Sequence, residues 1–254
     1  MRIKLLGAHQ GENREARFMS ILIDEHLVID VGGLTGALSS DEQLRIGAVL
    51  LTHRHYDHIK DLPGLAHTRW QQMELPLYCI DDTRDAVQAH IFNDVLWPAL
   101  REYQEGYYPV TYHHVEPGEA FNLLGYAILP VTVSHTVPAV GYLVERDGKS
   151  MFYTADTRIE ERPLWIEQRP DLLIIETTMC SVYEDEANRF GHMTPLSLER
   201  VLRTFHARQG YYPRTVCVHM NPAHEEVIRR EVAEVSDRLG ADVSLGYEGM
   251  TLDL

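Results

Sequence analysis

Cysteine, positive charge and long apolar runs are scarce in this 254-residue sequence, and each scarcity closes a class of explanation. Cys79, Cys180 and Cys217 are widely spaced, odd in number and form no C-x-x-C pair. That argues against a disulfide framework or a sulfur-ligated zinc and leaves the three as small buried apolar residues. Against 38 Asp and Glu stand only 23 Lys and Arg, a net charge of −15 that full protonation of the 14 histidines lifts only to −1. No broad cationic face is then available for nucleic-acid phosphates, which argues against a nucleic-acid partner. An anionic substrate has to be captured locally, and a bound pair of cations can supply that charge. The richest apolar stretches, residues 127–133 and 172–175, have the length of buried strands and fall far short of the roughly 18 residues of a membrane span. The opening MRIKLLGAHQGE has too short an apolar run for a signal peptide and no cleavage site after one, so a cytoplasmic, non-membrane protein is expected. Also missing are a G-x-G-x-x-G fingerprint, which excludes a Rossmann-type nucleotide site, and a G-x-S-x-G elbow for a serine nucleophile.

What is present is the material of a mixed α/β core. With 44% hydrophobic residues and no linker, internal repeat or low-complexity stretch, the chain reads as one domain over residues 1–254. Apolar runs of strand length recur at 2–6, 19–23, 27–31, 48–51, 75–80, 110–114, 126–133, 142–145, 151–154, 172–176 and 216–219. Helical periodicity appears after Asp61, across 83–103, after Arg158, over 195–208 and over 222–239. Thr194 with Pro195, and Asn221 with Pro222, each pair an N-cap side chain with proline at the first helical position, and Gly240 fits the stop of the last helix. Residues 97–114 are rich in aromatics and read either as a helix packed on the core or as a subunit contact or substrate-covering lip.

The densest chemical signal is T-H-R-H-Y-D-H at residues 52–58, directly after the run 48–51. Residues two apart on an extended segment point the same way, so His53 and His55 can converge on one metal. Asp57 and His58 follow at a turn, where they can reach a neighbouring point. Burying so many imidazoles and carboxylates without partners is costly, and a metal provides the partner. Further ligand types stand at other strand ends: His135 after 126–134, Asp156 after 151–155 and His219 after 215–218.

The H-x-H-x-D-H motif at 53–58, followed in order by His135, Asp156 and His219, resembles the metal signature of the metallo-β-lactamase fold superfamily over essentially the whole chain. The resemblance implies an α/β (α+β) four-layer αββα sandwich with two divalent metal ions at one edge. By that resemblance His53, His55 and His135 hold the first metal, Asp57, His58 and His219 the second, and Asp156 bridges. Nitrogen and oxygen donors without thiolate suit zinc, the first expectation, and equally manganese or iron. Asp30, in V-I-D-V-G-G, resembles the aspartate that supports the motif loop behind the ligands, and reads equally well as a turn residue.

The fold hosts several reactions, so the branch rests on other residues. His192, in G-H-M-T-P, precedes a capped helix whose free N–H groups favour an anion, and an imidazole there can protonate a leaving alkoxide. The stretch resembles the histidine motif of the superfamily's phosphodiesterase branch: tRNA 3′-processing endonucleases, cyclic-nucleotide phosphodiesterases and phosphoribosyl cyclic phosphodiesterases. Residues 134–145 and 246–250 resemble the last of these. The cysteine cluster of that group is missing, however, as is the basic arm of the tRNA enzymes. The expectation is therefore hydrolysis of a small cyclic or nucleotide phosphodiester by hydroxide held between two cations. Asp57 and His192 are the expected catalytic residues, and His192 and Thr194 the expected substrate contacts. The alternatives are a thioester or lactam hydrolase and a mononuclear iron dioxygenase. A homodimer fits the phosphodiesterase relatives. His9, His26, His67, His90, His113, His114 and His206 have no motif context, and His224 reads as a capping or packing residue.

Overall fold

Alternation along the strands decides the architecture, because successive side chains of a strand point to opposite faces. The computed structural model describes residues 1–70, 73–100, 107–160 and 163–254. Among them, β1 (Arg2–Gly7), β2 (Ser20–Ile23), β3 (Leu27–Ile29), β4 (Ala48–Leu50), β5 (Leu75–Cys79) and β6 (Val110–His114) pair in chain order. The second sheet runs β7 (Phe121–Leu123), β8 (Tyr126–Val133), β9 (Ala139–Arg146), β10 (Lys149–Tyr153), β11 (Leu172–Glu176), β12 (Arg214–Val218) and β13 (Val243–Leu245), while β14 (Thr251–Asp253) returns to pair with β1. Ile3, Leu5, Ile21, Ile23, Leu27, Ile29, Ala48 and Leu50 turn one face of the first sheet into a core shared with β8 to β12. Leu6, Leu22, Val28 and Val49 turn the other way.

That outer face is covered by α3 (Leu62–Arg69) and α4 (Asp81–His90), with α1 (Ser40–Leu44) packed on α3. The far face of the second sheet is covered by α6 (Pro195–Gln209) and α7 (Glu225–Leu239) through Leu198, Leu202, Phe205, Ile228 and Val232. The result is the expected αββα order. Two short helices, α2 (Tyr56–Ile59) and α5 (Glu184–Arg189), lie in connections rather than layers.

Strand direction gathers the chemistry. β3 to β6 are parallel to one another, as are β10 to β13, and β8 runs the same way as β10 because β9 is antiparallel to both. The residues that follow β3, β4, β8, β10, β11 and β12 therefore emerge at sheet ends that face one another, the edge where open α/β sheets place their sites.

Three local expectations are corrected. The periodicity over 83–103 overruns α4, which stops at His90: Asn93 donates to the Ala89 carbonyl and its own Oδ1 accepts from Val95 and Leu96, turning the chain. Residues 101–106 of the aromatic segment lie outside the described residues. Asn221 does not cap α7, because its Oδ1 accepts the Ala223 N–H at 3.0 Å and the helix starts a turn later, after His224. The periodicity after Arg158 yields only a 3-10 turn at Leu164–Glu167 among the described residues. Thr194 caps α6 as expected, its side chain accepting the Ser197 N–H, and all three cysteines are buried. No helix of the described residues is long and apolar enough to cross a membrane.

Candidate metal centre

At the strand ends that face the cluster, Asp30 (φ +58°), Ala155 (φ +55°) and His219 (φ +63°) bend the backbone into the left-handed region without being glycine. Each such residue costs about 1 to 2 kcal/mol, so the surrounding bonds must hold it. Asp30 N–H donates to the Leu50 carbonyl at 2.9 Å and His219 N–H to the Ala8 carbonyl at 2.6 Å. The strain turns Asp30, Asp156 and His219 inward at the ends of β3, β10 and β12, instead of letting the strands run on.

His53, His55, His135 and Asp156 converge so that one ligand atom from each lies within 4.8 Å of the others, and Asp57, His58, Asp156 and His219 form a second group of the same kind. Asp156 belongs to both. Its Oδ2 lies 3.7 Å from His53 Nε2 and 3.8 Å from His135 Nε2, while Oδ1 lies 3.2 Å from His58 Nε2 and 3.3 Å from His219 Nε2. Asp57 Oδ2 completes the second group, 3.1 Å from His219 Nε2.

Hydrogen-bond accounting fixes the tautomers. His58 Nδ1–H donates to Asp30 Oδ2 at 2.7 Å and His135 Nδ1–H to the Gly191 carbonyl at 2.8 Å. The Thr52 hydroxyl gives its proton to Asp30, leaving its oxygen to accept from His53 Nδ1–H at 3.0 Å. The Nε2 lone pairs then face inward, and His53 Nε2, His58 Nε2 and Asp156 Oδ1 are buried with no hydrogen-bond partner among the described residues. Acceptors crowded on acceptors at this depth are unfavourable unless a cation lies among them. The donor set, all nitrogen and oxygen, fits divalent zinc, manganese or iron.

The protein's own charges express the same demand. Burial drives the His53 pKa well below its ordinary 6.5, takes His55 down to about 4 and lowers His135, so these rings are neutral and able to ligate. Burial also works against a charge on His58, but Asp156, Asp30 and Asp57 outweigh it and raise that pKa well above 6.5. A proton on Nε2 would there occupy the place of a cation. Asp156 is held well below the usual carboxylate range, the imidazoles of His219 and His58 overcoming the cost of its burial.

His192 stands at the mouth, its Nδ1 4.0 Å from Asp156 Oδ2 and 3.0 Å from Glu176 Oε1. Burial disfavours its charged form, yet Glu176 outweighs burial and raises the pKa to about 9. Glu176 is the residue the sequence reading missed. It ends β11 as a fully buried carboxylate, the same strand-end pattern that singled out Asp156 and His219. A cleft of about 410 Å³ opens over the cluster, with His55, Asp57, Asp156 and His192 in its lining and Gln10, Asn221 and the half-exposed Phe190 on its walls.

Thr194 is corrected as a substrate contact. It is fully buried, and its hydroxyl is committed to the Ser197 N–H and the Glu184 carboxylate. His9, read as a residue without context, is buried between two carboxylates, Nδ1 at 2.7 Å from Glu248 and Nε2 at 3.2 Å from Glu225. His224 stacks on Tyr183 at 5.0 Å, in keeping with a packing role.

The chain is similar to known proteins in family and in fold. The family profile described as a beta-lactamase superfamily domain matches residues 32–220. The chain is 23% identical over 232 residues to ribonuclease Z of Thermoplasma acidophilum, covering 72% of each protein. It is 30% identical over 159 residues to the uncharacterized protein Rv1339 of Mycobacterium tuberculosis, covering 60% of this chain and 56% of that one. Unliganded yeast PDE1 superposes with a TM-score of 0.83 at 16% identity, covering 100% of this chain and 99% of that one, a likeness of fold.

Proposed function

We propose, from the premise that the chain belongs to the beta-lactamase superfamily, that it is a metal-dependent hydrolase of a small cyclic or nucleotide phosphodiester. The observation that carries this reading is an imidazole anchored at the mouth of a seven-residue nitrogen and oxygen cluster, His192 on Glu176, in position to give a proton to a leaving oxygen. His53, His55, His135 and Asp156 would hold one divalent cation, and Asp57, His58, Asp156 and His219 a second, with zinc the first candidate. Cations in such a site lower the pKa of a bound water toward about 7 and neutralise the non-bridging phosphate oxygens.

The chain's own residues supply the rest. Asp57, in the cleft lining, can orient the attacking water by accepting a hydrogen bond from it. His192 Nδ1–H is spent on Glu176, which leaves Nε2 free to carry the transferable proton. Held protonated near neutral pH, the ring acts as general acid on the departing alkoxide, an effect of about 10² to 10⁴ in rate. Thioester hydrolysis needs such an acid less, because a thiolate leaves unaided.

The ribonuclease Z relative favours a second reading, an RNA substrate, against which the net charge of −15 weighs. The test is a side-by-side assay of the metal-reconstituted chain on a cyclic nucleotide, a bis-phosphodiester, a glutathione thioester, a lactam and a tRNA with a 3′ extension, together with elemental analysis. Turnover of the small diesters with two ions per chain is expected. Preference for the thioester or lactam would overturn the reading, as would oxygen consumption with one iron per chain; preference for the tRNA would replace the substrate class.

A further inference from the structure

Behind the cluster each sheet places one carboxylate and one threonine, and the two pairs are wired alike. On the first sheet Asp30 takes His58 directly and reaches His53 through the Thr52 hydroxyl. On the second, Glu176 takes His192 directly, and the Thr178 hydroxyl lies 2.6 Å from Glu176 Oε2 and 2.8 Å from His219 Nδ1. The same hydroxyl is 3.5 Å from His192 Nδ1, and the His192 and His219 rings stack with centroids 5.2 Å apart.

Proton counting makes the second arrangement directional. Glu176 as a carboxylate only accepts, and its acceptor positions are filled: Oε1 by Thr157 N–H at 2.7 Å and His192 Nδ1–H at 3.0 Å, Oε2 by the Thr178 hydroxyl and Met193 N–H at 3.0 Å. Thr178 therefore spends its single proton on Glu176, and its oxygen is left to accept from His219 Nδ1–H. Among the described residues no other acceptor is bonded to that nitrogen. The backbone holds the hydroxyl in place, since Thr178 N–H donates to the Met193 carbonyl at 3.0 Å and Asn221 N–H to the Thr178 carbonyl at 2.9 Å. Thr178 itself is buried.

We propose that the Thr178 hydroxyl is the positioning group that ties the proton donor to the second cation station: it fixes the tautomer of His219 and, through Glu176, the orientation of His192. This rests on the metal-hydrolase reading for its catalytic consequence but not for its structural one. Thr52 does the corresponding service on the other sheet, with the difference that both of its rings, His53 and His58, belong to the cluster. Loss of Thr52 therefore disturbs the cluster alone, whereas loss of Thr178 disturbs one ligand and the acid together.

The experiment compares the full chain with Thr178→Val, Thr178→Ala, Thr178→Ser and Thr52→Val. Its first readout is ¹⁵N NMR of the ring nitrogens in metal-free protein. Thr178→Val, or Thr178→Ala if valine prevents folding, should move His219 away from a pure Nδ1–H tautomer, and Thr178→Ser should restore it. Stepwise zinc titration should then show one of two affinities weakened about 10 to 100-fold, the usual effect of removing a partner behind a ligand. In turnover, Thr178→Val should penalise diesters with poor leaving groups more than nitrophenyl esters, a bias absent from Thr52→Val. A tautomer shift in a chain that hydrolyses no diester would sustain the positioning role and remove only the proposed reaction. A His219 ring that stays Nδ1–H with zinc affinity unchanged in Thr178→Ala, or a loss that serine does not repair, would overturn the proposal.

Discussion

The two sheets fill the same cluster by opposite means. The first contributes four of its seven residues from one hexad, His53 to His58, because β4 ends in an extended segment that runs straight into α2. The second contributes His135, Asp156 and His219 singly from the ends of β8, β10 and β12, with Glu176 behind them and His192 at the mouth. A contiguous motif needs only one loop in place, whereas a dispersed set needs every strand in register. In both halves a buried carboxylate and a threonine hydroxyl orient the rings, so the support is shared where the sequence pattern is not.

The sharpest way to break this comparison is to remove the one residue both groups share. Asp156→Ala should lower turnover by more than about a thousandfold, since cation chemistry supplies several kcal/mol of transition-state stabilisation, and should weaken both cation affinities together. Zinc titration with elemental analysis checks it; one ion kept at full affinity would mean that the two groups are independent.

The second test separates ligand from acid within the C-terminal half. His192→Ala should retain its metal content yet lose about 10² to 10⁴ in rate on diesters with poor leaving groups, with a smaller loss on nitrophenyl esters. Equal losses on both would take His192 out of the acid role.

The smallest effect is expected at the seam, where His9 at the end of β1 meets Glu225 of α7 and Glu248 before β14. Burial opposes a charge on His9, but Glu248 and Glu225 outweigh it and raise its pKa above 6.5; burial likewise opposes ionised Glu248, and the His9 bond outweighs it and lowers that pKa below 4.5. A raised histidine stabilises fully below its ordinary value and fades as pH rises through the folded one. A lowered carboxyl stabilises fully above its ordinary value and fades as pH falls through the folded one. Both contributions are therefore complete between pH 4.5 and 6.5. His9→Gln should cost about 1.5 to 3 kcal/mol there, the range for hydrogen bonds to charged groups, and less in alkali. Thermal melts across pH check it, and a difference that grows above pH 8 would contradict the assignment.

Legibility follows the same divide. The hexad could be read because period-2 geometry relates neighbours in sequence, and His135, Asp156 and His219 because each ends an apolar run. Glu176 ends such a run too, but a carboxylate there is equally a strand terminus meeting solvent, and only its four donors distinguish the cases. His9 was opaque because its partners lie 216 and 239 residues away. Thr194 misled because its cap was real, while the depth of that cap, which removes it from the cleft, is a property of packing.

By itself the sequence determined the residue chemistry: which side chains can ligate and which strands alternate. Only the tertiary structure decided which nitrogen of each imidazole faces inward, and that Asp156 stands between two groups rather than in one. Those outcomes depend on hydrogen-bond partners brought together by strand pairing, and contact across two sheets is a relation between distant residues that no local run of the chain encodes.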